Sequence, residues 1–134
     1  MIDEEIAIFD VVARDVADVS PGAYVSSQHV SAPPQFPAVS VVESSNTEYE
    51  RCADSSGRER YSAVTYTVNV YSASRGDPKG ECRAIVSAIN RRMRSLNFTR
   101  TYCGPVDNAA DPSIYRIVAR YTGVVDEHGL TYGR

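Results

Sequence analysis

Between residues 3 and 19 apolar side chains recur at Ile6, Phe9, Val12, Ala13 and Val16, the spacing of one face of an amphipathic helix. Asp3, Glu4 and Glu5 suit the positive end of such a helix, and Ser20-Pro21-Gly22 stops it. Residues 23–30 predict a short strand. The step Ala32-Pro33-Pro34-Gln35-Phe36-Pro37 then interrupts regular structure, and a second strand is expected over 38–43. Residues 44–60 hold almost no large apolar side chain and have Ser55-Ser56-Gly57 near their centre, which predicts an exposed loop or hairpin tip. From 60 to 72 the pattern alternates, with Val64, Tyr66, Val68 and Val70 on one side and Tyr61, Ala63, Thr65, Thr67, Asn69 and Tyr71 on the other. That is a long strand partly covered on both faces.

Asp77-Pro78 opens the second helix, since Asp caps the first turn and Pro needs no N–H there. Its apolar face is Cys82, Ile85, Val86, Ile89, Met93 and Leu96, with Arg91, Arg92 and Arg94 crowding its C-terminal end. Extended structure is expected over 98–106, a turn over 107–113, a last long strand over 114–125, and a short polar tail containing Tyr132. Runs of strands joined by turns imply one α+β domain over residues 1–134. Its sheet is mainly antiparallel, with a mixed sheet left open, and carries two packed helices.

Composition narrows the class without naming a function. With 134 residues, 43% hydrophobic and 23% charged, the chain can bury a core without disulfides or a metal. No apolar run approaches the roughly 20 residues of a membrane-spanning helix, so no membrane partner is expected. The acidic start lacks the form of a secretory signal, and the cytoplasm is the expected compartment. Cys52, Cys82 and Cys103 are odd in number and form no paired motif, which suggests reduced thiols rather than a disulfide framework or a zinc site. A net charge of −3 does not favour sequence-independent binding to a polyanion.

Candidate chemistry is sparse. No nucleophile-elbow, zincin, P-loop or dinucleotide motif occurs, and His29 and His128 have no ligand-like neighbours in sequence. The acids Glu43, Glu48, Glu50 and Asp54 fit a solvated loop better than a hydrolytic pair, which needs a cleft. Arg75-Gly76-Asp77 is accounted for by turn and capping chemistry. Arg91, Arg92, Arg94 and Arg100 form the one basic cluster, which suits a helix C-terminus and also offers contacts to phosphates or to an acidic neighbour. Nine tyrosines with no tryptophan leave core packing and interface use equally open for Tyr61, Tyr71, Tyr115 and Tyr121. No catalytic residue, cofactor or metal is assigned, and an enzyme is not expected.

Three segments in order carry a resemblance. They are Val68-Asn69-Val70-Tyr71-Ser72 before the second helix, Met93-Arg94-Ser95-Leu96-Asn97-Phe98 after it, and Asp107-Asn108 with Asp111-Pro112-Ser113-Ile114-Tyr115-Arg116 running into Arg120-Tyr121-Thr122-Gly123-Val124-Val125-Asp126. Together, over residues 66–132, they resemble the tail-terminator or tail-completion proteins of long-tailed bacteriophages. The resemblance implies a non-enzymatic virion protein of the tail or neck, assembled in the host bacterial cytoplasm. It implies a homo-oligomeric ring, commonly hexameric, that caps the head-proximal end of the tail tube. Its partners would be the tail tube protein and a head-completion or connector protein, with DNA at most passing through the ring lumen.

A closed ring needs two different patches per subunit. The candidate assembly contacts are Glu48, Glu50, Arg58 and Arg60 in the 44–60 loop, Arg91 and Arg94 on the second helix, and Tyr132 in the tail. The alternatives are a head-completion, connector or minor capsid protein of the same neck, a small cytoplasmic nucleic-acid-binding module using the arginines of residues 91–100, and an enzyme built on a carboxylate with Cys52 or Cys103.

Overall fold

The structure is a computed structural model that describes residues 5–28, 33–48, 61–107, 113–126 and 131–132. Its elements run α1 (Glu5–Val19), β1 (Tyr24–Ser26), β2 (Ala38–Glu48), β3 (Tyr61–Ser72), α2 (Pro78–Ser95), β4 (Thr99–Pro105), β5 (Tyr115–Asp126) and β6 (Thr131–Tyr132). The fold is α+β. Six strands form one sheet in the order β1-β2-β3-β5-β4, with β6 paired to β5. Every pairing is antiparallel except β1 with β2. The mixed sheet left open by the sequence is therefore the one formed.

Strands β3 and β5 pair in unbroken register from Tyr61↔Asp126 to Ser72↔Tyr115. Alternation then puts Val64, Tyr66, Val68 and Val70 on one face beside Ile117, Ala119, Tyr121 and Val125, all of which join the core against the helices. α1 contributes Ile8, Val12 and Val16, and α2 contributes Cys82, Ile85, Val86, Ile89 and Met93. Each large aliphatic side chain fully buried here is worth about 1.5–3 kcal/mol. The opposite face of the sheet carries Ala38, Ser40, Asn69, Tyr71, Val118 and Val124, which are buried but, Ser40 and Asn69 being polar, mix chemistry that the helix-side core excludes.

α2 starts and stops as local chemistry dictates. The Asp77 carboxylate accepts the Gly80 N–H at 2.9 Å, and Pro78 occupies the first turn. At the other end Asn97 takes a left-handed φ of 66°, while the Asn97 N–H donates to Arg94 O at 3.0 Å and the Phe98 N–H to Met93 O at 2.9 Å. That pair of bonds is a Schellman motif, and it turns the chain into β4 with Phe98 directed back onto the core. Phe98 meets Tyr66 edge to face, with ring centroids 5.7 Å apart.

The structure departs from the sequence expectations in four places. β2 does not end at residue 43 but continues to Glu48, so residues 44–48 of the expected loop are strand, and residues 49–60 lie outside the described residues. The apolar run stops early because a bulge at Ser44 resets the alternation, putting Ser45 and Thr47 opposite Thr65 and Ala63 on the face away from the helices. Such positions need no apolar side chain. Of the strand expected over 23–30, residues 23–28 form strand only at Tyr24–Ser26, and residues 29–30 lie outside the described residues. Tyr132, expected in a tail, belongs to β6 and pairs with Val124, because β4 leaves that end of the β5 edge open. Finally, the buried stripe of α1 is Ile8, Val12 and Val16, and Ile6 is 75% exposed. The intervals 6-9-12-13-16 and 8-9-12-16 both satisfy a helical period, and only packing against α2 selects one.

Gly123 faces the core opposite Val64, and a Cβ placed on it would lie 2.7 Å from Phe98 Cδ1. Since the Phe98 ring is buried, Gly123→Ala is expected to cost about 1–3 kcal/mol by overpacking, measured by denaturant titration. Phe98→Leu in the same chain should recover part of that loss, giving a negative coupling in the double-mutant cycle.

Candidate functional site

The arginines grouped by the sequence separate once α2 is seated. Arg92 is bound to Asp15 of α1 through two parallel hydrogen bonds, Nε to Oδ2 at 2.7 Å and a terminal nitrogen to Oδ1 at 3.1 Å. Planar, bidentate pairing of this kind fixes how the two helices sit against each other. It also removes Arg92 from the set available to a ligand. The Arg92 guanidinium holds the Asp15 carboxyl below its ordinary range, and Asp15 in turn raises the arginine. Arg91 lies beside this pair in a hollow of about 430 Å³ between the helices, with Asp18 and Val19.

Arg94 lies on the other flank of α2. At about 3.6 residues per turn, Lys79, Arg83, Ser87, Asn90 and Arg94 share one stripe, roughly opposite the Ala88, Arg92 and Ser95 that line the α1 side. Strand β4 runs along this stripe and supplies Arg100 from the helix-side face, opposite Tyr121. Two hollows result. One, of about 350 Å³, has Lys79, Arg83 and Arg100 on its walls and Val86, Pro105, Tyr115 and Ile117 as apolar surface. The other, of about 250 Å³, is lined by Asn90, Arg94, Phe98, Thr99 and Arg100.

Arg100 is common to both, and among the described residues no acidic residue lines either. Among the described residues, none of the four cations has an ion-pair partner; Arg100 donates to Asn90 Oδ1 at 3.4 Å. An unneutralised cationic groove with an apolar floor suits a ligand that is both anionic and partly apolar.

The remaining candidates distribute as follows. Arg91 and Arg94 are exposed, on different flanks of α2. Glu48 ends β2 opposite Ser62, and Tyr132 lies in β6, so the structure brings neither to the groove. Glu50, Arg58 and Arg60 fall outside the described residues, as do Cys52, His29 and His128. Among the described residues no cluster of His, Cys, Asp and Glu has metal-binding geometry, and no described helix is long and apolar enough to cross a membrane.

Sequence reasoning missed Lys79 and Arg83. Their four-residue spacing marks a polar helix stripe, but the groove exists only because β4 packs alongside. It also missed the opposite sheet face, where Arg116 donates to Asn69 Oδ1 at 2.7 and 3.0 Å and lies over the Tyr71 ring, and where Arg120 lies over Tyr102. Tyr71 and Tyr121 are buried, while Tyr61 and Tyr115 are half-buried.

Two measurements follow. Asp15 has a folded pKa below its unfolded value near 4, so its pairing contributes fully above pH 4 and is lost as pH falls through the folded pKa. Asp15→Asn should therefore lower the melting temperature at pH 7 and converge with wild type in acid. The Cys82 thiol is fully buried and pushed up to about 12, chiefly by burial, whereas Cys103 is exposed. Alkylation of the native protein followed by mass spectrometry should modify Cys103 and spare Cys82 until the chain unfolds.

No protein-family model matches the chain, and a search of curated proteins finds no similar sequence.

Proposed function

We propose that the chain is a self-assembling structural protein, a tail terminator that forms a ring at the head-proximal end of a phage tail tube and joins it to the head. Two lines support the reading. The resemblance over residues 66–132 falls on β3, α2, β4 and β5, the elements that build the centre of the sheet and its basic edge. The observation that carries it is a surface unlike that of an enclosed site: an unneutralised basic groove along one edge, with an exposed Ile6 on the far helix. Paired unlike patches of this kind suit head-to-tail association, which closes into a ring when the rotation allows.

One other reading has a specific observation in its favour. The same unpaired cations would serve a small nucleic-acid-binding module. Arg92 is committed to Asp15, so the discriminating substitutions are Arg83→Ala with Arg94→Ala, which on that reading should weaken a salt-sensitive interaction with DNA or RNA.

Purified protein examined by light scattering and negative-stain microscopy is expected to form rings, and adding it to growing tail tubes should cap one end and limit their length. A protein that stays monomeric at all concentrations and leaves tube length unchanged would sink the proposal.

A further inference from the structure

α2 is flanked by α1 on one side and by β4 on the other, and the two flanks differ in chemistry. On the β4 side, Lys79, Arg83, Arg94 and Arg100 rim a groove floored by Val86 and Ile117. On the α1 side, the first turns of α1 expose Ile6, the most exposed large hydrophobic side chain described, one turn from the exposed Asp10 and next to Glu5. The charged residues of these first turns, Glu5 and Asp10, are both acidic, and the next cation along the helix is Arg14. One patch is cationic around an apolar floor. The other is an apolar knob flanked by Glu5 and Asp10.

From this complementarity we infer that the groove between α2 and β4 receives the acidic first turns of α1, with Ile6 inserted, from a second copy of the chain, an inference that rests on the self-assembling role proposed above. The groove's own α1 cannot fill it. Val12 and Val16 are buried in the core and Asp15 is tied to Arg92 on the opposite flank of α2, so reaching the groove would require unpacking the helix. Because donor and acceptor patches lie on opposite flanks, each copy filling one neighbour's groove offers its own groove to the next. The contact is heterologous and repeats, giving a closed ring or an open filament rather than a two-fold dimer. Apolar insertion supplies the short-range attraction, and the charges steer approach and set register, so assembly should weaken with added salt.

Charge reversal on each side provides the test. One variant carries Glu5→Lys and Asp10→Lys, the other Arg83→Glu and Arg100→Glu, with circular dichroism and melting used to check folding. Each alone should raise the concentration at which oligomers appear by about tenfold or more. A one-to-one mixture should restore assembly, because alternating copies again present unlike charges at every contact. Asp10→Asn and Arg83→Gln, which introduce no repulsion, should show the same direction with a smaller effect and serve if a reversed variant fails to fold.

If wild-type oligomers form and neither side's variants alter them, the contact lies elsewhere; self-assembly stands and this interface is overturned. If wild type stays monomeric under all conditions, self-assembly itself fails and this interface with it. If the groove variant loses a salt-sensitive interaction with DNA while oligomers are unaffected, the groove's occupant is nucleic acid and the inference is overturned.

Discussion

Twelve consecutive residue pairs join β3 to β5, and because side chains alternate across a strand, that register decides which residues of both strands meet the helices. Tyr66 stands opposite Tyr121, Val68 opposite Ala119 and Val70 opposite Ile117, so the pairing sets a continuous apolar surface toward the helices. Gly123 leaves the space that the Phe98 ring fills. A slip of β3 by one residue would turn its apolar side chains away from the helices and bring Thr67 and Asn69 inward. Everything outside the pair is placed relative to it: β2 adds to one side of β3, while β4 and β6 share the free edge of β5.

The turn after α2 links this core to the candidate interface. Asn97 reverses the chain in a left-handed conformation, Phe98 is pinned against Tyr66, and β4 emerges alongside the polar stripe of α2. The groove is thus a by-product of how the helix ends. Among the described residues its cations stay unpaired, with Asp15 used on the opposite flank and Glu81 accepting from Ser72 at 2.5 Å. Local capping, core packing and surface charge are coupled through a few residues.

Burial on the far face of the sheet follows different rules. Arg116 spans Asn69 and Tyr71, so a guanidinium supplies both the hydrogen bonds and the aromatic cover. Ser40, opposite Asn69, is buried with its hydroxyl unpaired among the described residues. Polar strand positions such as Asn69 are therefore buried with no second helical layer among the described residues, under a long side chain that lies flat across the sheet.

The α+β class, both helices, the alternation of β3 and β5, and the Asp77-Pro78 start of α2 were legible in local sequence, because these depend on period and capping chemistry within a few residues. Local signals could not determine which stripe of α1 is buried, since Ile6 and Ile8 both fit a helical period and only contact with α2 separates them. Nor could they show the length of β2, where a bulge lets polar residues remain in a strand, or the parallel pairing of β1. The basic cluster was legible as composition but not as a site. Tertiary packing drew Arg92 to Asp15, parted Arg91 from Arg94, and set Arg100 across from Lys79 and Arg83, because a groove is made by two elements whose approach no local pattern encodes.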